Sequence, residues 1–242
     1  MHELWITKIF NDNLAGLANG VLNAVHVPAA NPRFPWTDWM VCELIVVACM
    51  VIFFGVLRAR LSVDNPGKAQ HVMEIIYDFI HASSEEIVGH EGPRYLAFFG
   101  TIFIYILCLN LIGIIPGFDS PTMYPMVPLA FAVCTFIFYN YTGIREHGAG
   151  YVKQFLGPFL LLAPLMLLIE VISHFARMLS LTVRLFANMF AGEQVYITFI
   201  TLTKVVFPVI FIGLHTFVAL LQAYIFMLLA MVYVGGAVSH EH

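Results

Sequence analysis

From Phe155 to Gly235 the apolar pattern of this chain barely stops, and three shorter apolar runs precede it. A helix that crosses a bilayer needs about 20 mostly apolar residues. That requirement limits the architecture more than any motif does. Charged residues make up 11% of the 242 and apolar ones 60%, with a mean hydropathy of +0.86. Soluble domains carry about 25% charged residues. The sequence therefore predicts an all-α polytopic membrane protein with about five membrane helices. The net charge of -4 leaves no footprint for nucleic acid.

The runs set the expected layout: spans over residues 39–57, 95–115 and 126–144, within one membrane domain 36–242 that follows an outer-side segment 1–35. The first span stops at Arg58-Ala-Arg60, in the manner of a positive-inside boundary. Between the first two spans, Val72, Ile75, Ile76, Phe79, Ile80 and Ile87 recur at helical spacing, opposed by Glu74, Asp78, Glu85 and Glu86. This pattern predicts an amphipathic helix over 66–90 lying on the membrane surface, with a small soluble loop helix as the competing reading. Asn65 is its candidate N-cap and Pro66 its first residue.

Pro116-Gly117 closes the second span, and the loop that follows, Phe118 to Pro125, has no Lys or Arg. The stretch from Pro158 to Thr203 is too long for one upright span, and no Gly or Pro near Ser180 breaks it. The expectation is a long tilted hairpin, with arms 158–203 and 205–234 and a tip near Lys204–Pro208.

Lys and Arg placement sets the orientation. Arg58, Arg60, Lys68, Arg94, Arg145 and Lys153 fall on one side, and Lys8, Arg33 and Lys204 on the other. This predicts an outside N-terminus and a cytoplasmic C-terminus. No cleavable signal peptide is visible, and a bacterial inner membrane is the simplest home. Cys42, Cys49, Cys108 and Cys134 lie in apolar runs without metal or disulfide spacing, so they read as packing residues.

The embedded polar residues carry the chemistry. Arg184 sits deep in an apolar run, where a charge that cannot be neutralised is costly and usually functional. On the first hairpin arm, Glu170, Ser173, Arg177, Ser180, Arg184 and Asn188 step by three or four residues and make one polar stripe. His174 stands one turn from Glu170, and the second arm carries His215 and Gln222 on one face.

Antiparallel arms pair positions equally distant from their tip. That sets Glu193 beside His215 and Arg184 beside Gln222. Helical phase puts Glu193 about 180° from Arg184, which strains the scheme or assigns the acid to a different cavity. With the tip outside, Glu193 and His215 lie in the outer half and Arg184 near the middle. Glu170 and His174 lie in the inner half, Glu170 about 21 Å below Arg184.

Two proton-capable groups are thus separated by a fixed positive charge, and an ion would need a carrier to pass between them. The bland readings are a buried structural pair for Glu193 and His215, helix–helix glue for Gln222, and snorkelling for Arg177. Asp119 reads as a loop acid at the outer mouth, and Glu43 and Asn110 join no constellation.

The run from Ile169 to Glu193, with Arg184-Leu-Phe-Ala-Asn188-Met-Phe-Ala-Gly192-Glu193 at its end, resembles the signature of subunit a of F-type ATP synthases. Leu221-Gln222-Ala-Tyr-Ile-Phe-Met227 is similar to that family's final helix, and Phe103 to Gly117 to its second span. The resemblance implies a stator subunit beside a rotating ring of c subunits, held with the b-subunit peripheral stalk and the rest of the complex, and without a cofactor or metal of its own. It implies that Arg184 faces the ring carboxylates, with Gln222 and Asn188 beside it. It implies Glu193 and His215 for the outer half-channel, and Glu170, His174 and Ser173 for the inner one. Met178 stands where family members often carry proline, and Ser120-Pro-Thr-Met-Tyr-Pro125 replaces an Asp-x-Asn element of many relatives.

Two other classes compete. A self-contained ion-coupled transporter or channel would also bury charges, but transporters usually show two related halves, and no internal repeat is visible. An intramembrane metalloprotease would need a motif such as His-Glu-x-x-His, which is missing.

Overall fold

The computed structural model describes residues 4–24, 34–63, 66–115, 117–148, 163–202 and 206–238. Seven α-helices run through them: α1 (Trp5–Ala24), α2 (Asp38–Ala59), α3 (Lys68–Val88), α4 (Leu96–Ile112), α5 (Met126–His147), α6 (Ala163–Leu202) and α7 (Val206–Val238). Short 3-10 turns at Gly92–Tyr95 and Pro121–Met123 lead into α4 and α5. Five helices are long and apolar enough to cross a membrane: Asp38–Ala59, Gly92–Ile112, Met126–His147, Pro164–Leu202 and Val209–Val238. No strand occurs among the described residues.

The core lies where α7 passes between α4, α5 and α6. Ala219, Ala223, Phe226, Met227, Ala230, Met231 and Val234 of α7 are fully buried there, against Phe99 and Ile106 of α4 and Leu185 and Met189 of α6. Alanines on one face of α7 let its neighbours approach closely, which is how helices associate where lipid offers no hydrophobic drive. A smaller cluster joins Cys42 and Val46 of α2 to Leu109 and Ile112 of α4 and Val127 of α5. Outward faces remain apolar, as Val51 and Ile52 on α2 and Phe175, Leu179 and Val183 on α6 illustrate.

Helix α6 has 40 residues and no interruption. At 1.5 Å per residue it is about 60 Å long, twice a hydrocarbon layer of about 30 Å. Upright, it would leave apolar residues in water, so it must tilt. Met178 supplies an ordinary backbone N–H in its middle, and the ladder runs through Ser180. The hairpin tip at Thr203–Val205, with Lys204, lies outside the described residues, as do 149–162 and the tail 239–242.

Two details correct the sequence reading. Helix α3 begins at Lys68 with Gly67 as its N-cap, so Pro66 precedes the helix; Asn65 lies outside the described residues. Helix α3 also does not stand off as a lone loop helix: Ile76, Ile80, Ile87 and Val88 pack on the main core, and the Phe79 ring meets Tyr224 of α7 at 5.5 Å.

Helix α1 arises from a stretch whose mixed pattern gave no span. It is docked by polar contacts: Asn11 accepts from the Trp36 backbone N–H at 3.0 Å and donates to its carbonyl at 3.2 Å, and Leu4 N–H donates to Asp38 at 3.1 Å. The opposite end is fixed by Arg94, which donates to Glu146 at 2.8 Å. That contact places the segment before α4 and the end of α5 on one side of the molecule.

Candidate functional site

The polar residues of α6 and α7 fall at three levels between the Arg94–Glu146 end and the end that carries Asp119. Nearest the Arg94 end, His174 is buried with its ring edge-on to Tyr139 at 5.6 Å and Phe136 at 6.1 Å. Its Nδ1 is 3.8 Å from Oε1 of Glu170, which is partly exposed. Ser173 adjoins them, half-buried. Arg177 lies over the Tyr233 ring at 5.6 Å, a cation–π contact to α7 in place of an unpartnered reach to the headgroups.

At the middle level, Asn188 Nδ2 donates to Gln222 Oε1 at 2.8 Å. Gln222 is almost fully buried, and its Nε2 has no partner among the described residues. The expected neighbour of Gln222 was Arg184, and the structure gives it Asn188, one turn further along α6. Distance from the tip fixes such a pairing only to within a turn; the rotation of each helix selects the side chain that meets its partner.

Arg184 is half-buried and makes no ion pair or hydrogen bond with any described residue. Ser180, Ala187, Asn188 and Ala191 lie within about 60° of it around the helix, and all four are exposed. Leu181, also about 60° away, is buried, so the guanidinium sits at the border between this open flank of small residues and the packed face of Leu181, Leu185 and Met189.

Toward the Asp119 end, His215 is buried against α6. Its ring lies on Gly192: a Cβ at that position would come within 2.4 Å of Nδ1. Neither ring nitrogen has a hydrogen-bond partner among the described residues. Glu193 was expected at the level of His215, with direct contact left open. No hydrogen bond or ion pair joins them, since the acid points around the helix from the glycine. Glu193 is within electrostatic reach of Asp119 in the 117–125 segment. The opposed helical phases of Glu193 and Arg184 accord with this: the acid is within electrostatic reach of Asp119, and the arginine is within electrostatic reach of Tyr233 on α7.

Asp119 lies outside the spans. Burial, then the nearby charge of Asp38, raises its carboxyl above the ordinary range, and Tyr124 donates to it at 3.4 Å. Burial and Asp119 push the Tyr124 phenol up to about 12.

Sequence reasoning missed Asn110, which is fully buried and hydrogen-bonded to both α7 and the 117–125 segment. Its only signal was an amide in an apolar span. Among the described residues no group of three His, Cys, Asp or Glu is placed to hold a metal ion.

Fold and site define a polytopic membrane protein with two separated sets of titratable groups and, between them, an arginine whose charge is not balanced by any described residue. Residues 40–235 match the family model described as ATP synthase A chain. The ATP synthase subunit a of Solibacter usitatus is 55% identical over 235 residues, covering 97% of this chain and all of that protein. The corresponding proteins of Koribacter versatilis and Desulfosudis oleivorans are 46% and 42% identical, over 100% and 81% of this chain and 99% and 86% of their own lengths. The chain belongs to the ATP synthase subunit a family.

Proposed function

We propose that this chain is the proton-translocating stator subunit of the membrane sector of an F-type ATP synthase in a bacterial inner membrane. Its N-terminus lies outside and its C-terminus in the cytoplasm. The partners are a ring of c subunits, whose carboxylates pass Arg184 in turn, and the b-subunit peripheral stalk. The observation that carries this reading is Arg184 itself: a half-buried guanidinium, without an ion pair among the described residues, at the edge of an exposed flank of small side chains. Small residues let a second helix come close, and a fixed charge at membrane depth calls for a counter-charge.

A ring carboxyl facing lipid is neutral, because an ion there is costly. Beside Arg184 the opposite charge favours its ionised form. The proton leaves through one half-path and is replaced from the other. Glu193 and His215 line the outer half-path; Glu170, His174 and Ser173 line the inner one. Asn188 and Gln222 brace each other one turn from Arg184, holding α6 and α7 in register where the ring passes. A guanidinium keeps its charge, so Arg184 blocks direct passage and net flow requires rotation.

In the assembled, reconstituted complex, Arg184→Ala is expected to abolish ATP synthesis and ATP-driven proton pumping; pumping at the normal rate would overturn the reading. Arg184→Lys should restore little, since an ammonium lacks the planar fork.

A further inference from the structure

Asn110, the single amide side chain of α4, is fully buried and is tied in two directions. Its Nδ2 donates to the carbonyl of Ala219 on α7 at 3.2 Å. Its Oδ1 accepts from the Thr122 hydroxyl at 2.6 Å. The Thr122 oxygen stands 2.8 Å from that of Ser120, which donates to the Leu109 carbonyl at 2.9 Å. All three side chains are buried. Gly113 completes the seat, because a Cβ there would lie 2.7 Å from the Cβ of Ser120. The segment is therefore held on α4 at two levels, through residues 109–110 and through Gly113.

The anchored elements are those of the proposed outer half-path. Ala219 lies one turn after His215 and three residues before Gln222. Asp119, next to Ser120, is within electrostatic reach of Glu193. One carboxamide thus links the turn of α7 between His215 and Gln222 to the loop that presents Asp119 to Glu193.

We propose that Asn110 is a positioning residue for proton uptake: its bonds to Ala219 and Thr122 fix the spacing between the His215 imidazole on α7 and the Asp119 carboxyl in the 117–125 segment. The proposal rests on the reading of Glu193 and His215 as the outer half-path. Asn110 itself moves no proton.

The test uses the complete ATP synthase in vesicles. Thr122→Val keeps the shape and removes the donor, while Thr122→Ser keeps the hydroxyl. Thr122→Val is expected to lower ATP-driven pumping per assembled complex roughly tenfold, the scale of a small misplacement of reacting groups. It should also move the midpoint of the pH profile on the outer side and raise hydrogen exchange in 117–125. Thr122→Ser should behave as the unmodified protein in all three. If Thr122→Val does not assemble, Ser120→Ala, which removes the bond to the Leu109 carbonyl and the contact with the Thr122 hydroxyl, should show the same changes at about threefold.

Faster exchange with an unchanged pumping rate and pH profile would reduce the network to a loop anchor. That would overturn the proposal and leave Glu193 and His215 in place. Normal pumping by Glu193→Gln would instead remove the half-path reading itself.

Discussion

At Gly192 a hydrogen atom in place of a side chain lets the His215 imidazole lie directly on the α6 backbone. A methyl group there must displace the ring, because 2.4 Å is far inside van der Waals contact. Gly192→Ala is expected to destabilise the hairpin by about 1–3 kcal/mol, the cost of overpacking a closely fitted site. Thermal unfolding of the purified complex measures this, and an unchanged midpoint would show that the ring has room to move.

Asp119 makes a second case at this scale. Burial and the charge of Asp38 raise its carboxyl in the folded chain, so the folded state holds this proton more tightly than the unfolded state does. That contribution to stability is full below the ordinary carboxylate value of about 4 and is lost as pH rises through the folded value. Asp119→Asn should therefore raise thermal stability at neutral pH, and the gain should shrink as the pH is lowered past that value. A gain that grows on acidification would reverse the sign and contradict the account.

Among the elements, α1 is the one whose attachment is least visible in the chain. Its residues alternate apolar and polar too often to mark a span, and its anchors, Asn11 to Trp36 and Leu4 to Asp38, join positions 25 and 34 residues apart. Asn11→Ala removes two hydrogen bonds and leaves the Trp36 groups without those partners. It is expected to loosen α1 by about 1–3 kcal/mol and, by opening the helix around the already exposed Lys8, to speed trypsin cleavage there in the detergent-purified complex. Equal protection in both proteins would show that apolar contacts alone hold the helix.

The apolar helices were far more legible. Run length alone announced α2, α4 and α5, and the missing breaker near Ser180 announced the single long α6. Contacts between helices were legible only in part. Distance from the tip brought Glu193 and His215 to one level, but the imidazole settles on Gly192. It also brought Gln222 to within a turn of its partner, which proved to be Asn188. The Asn110 network was not legible, because its acceptor on α7 is 109 residues away and only packing brings the two together.

For the whole molecule, the described residues leave a charge at membrane depth unbalanced at the edge of an exposed flank. The groups toward each end are built differently. His174, flanked by aromatic rings, stands 3.8 Å from the partly exposed Glu170, whereas Glu193 and His215 are divided between the loop side and the hairpin seam. If Arg184 separates two proton paths that meet only through a moving carboxylate on another chain, its charge is the barrier between them.

The direct measurement is passive proton conductance of vesicles that carry the complete complex without nucleotide, comparing the unmodified subunit with Arg184→Ala at equal incorporation. The account predicts that the unmodified complex holds an imposed pH gradient while the variant dissipates it. A variant that holds the gradient as well as the unmodified complex would contradict the claim that Arg184 divides the two paths.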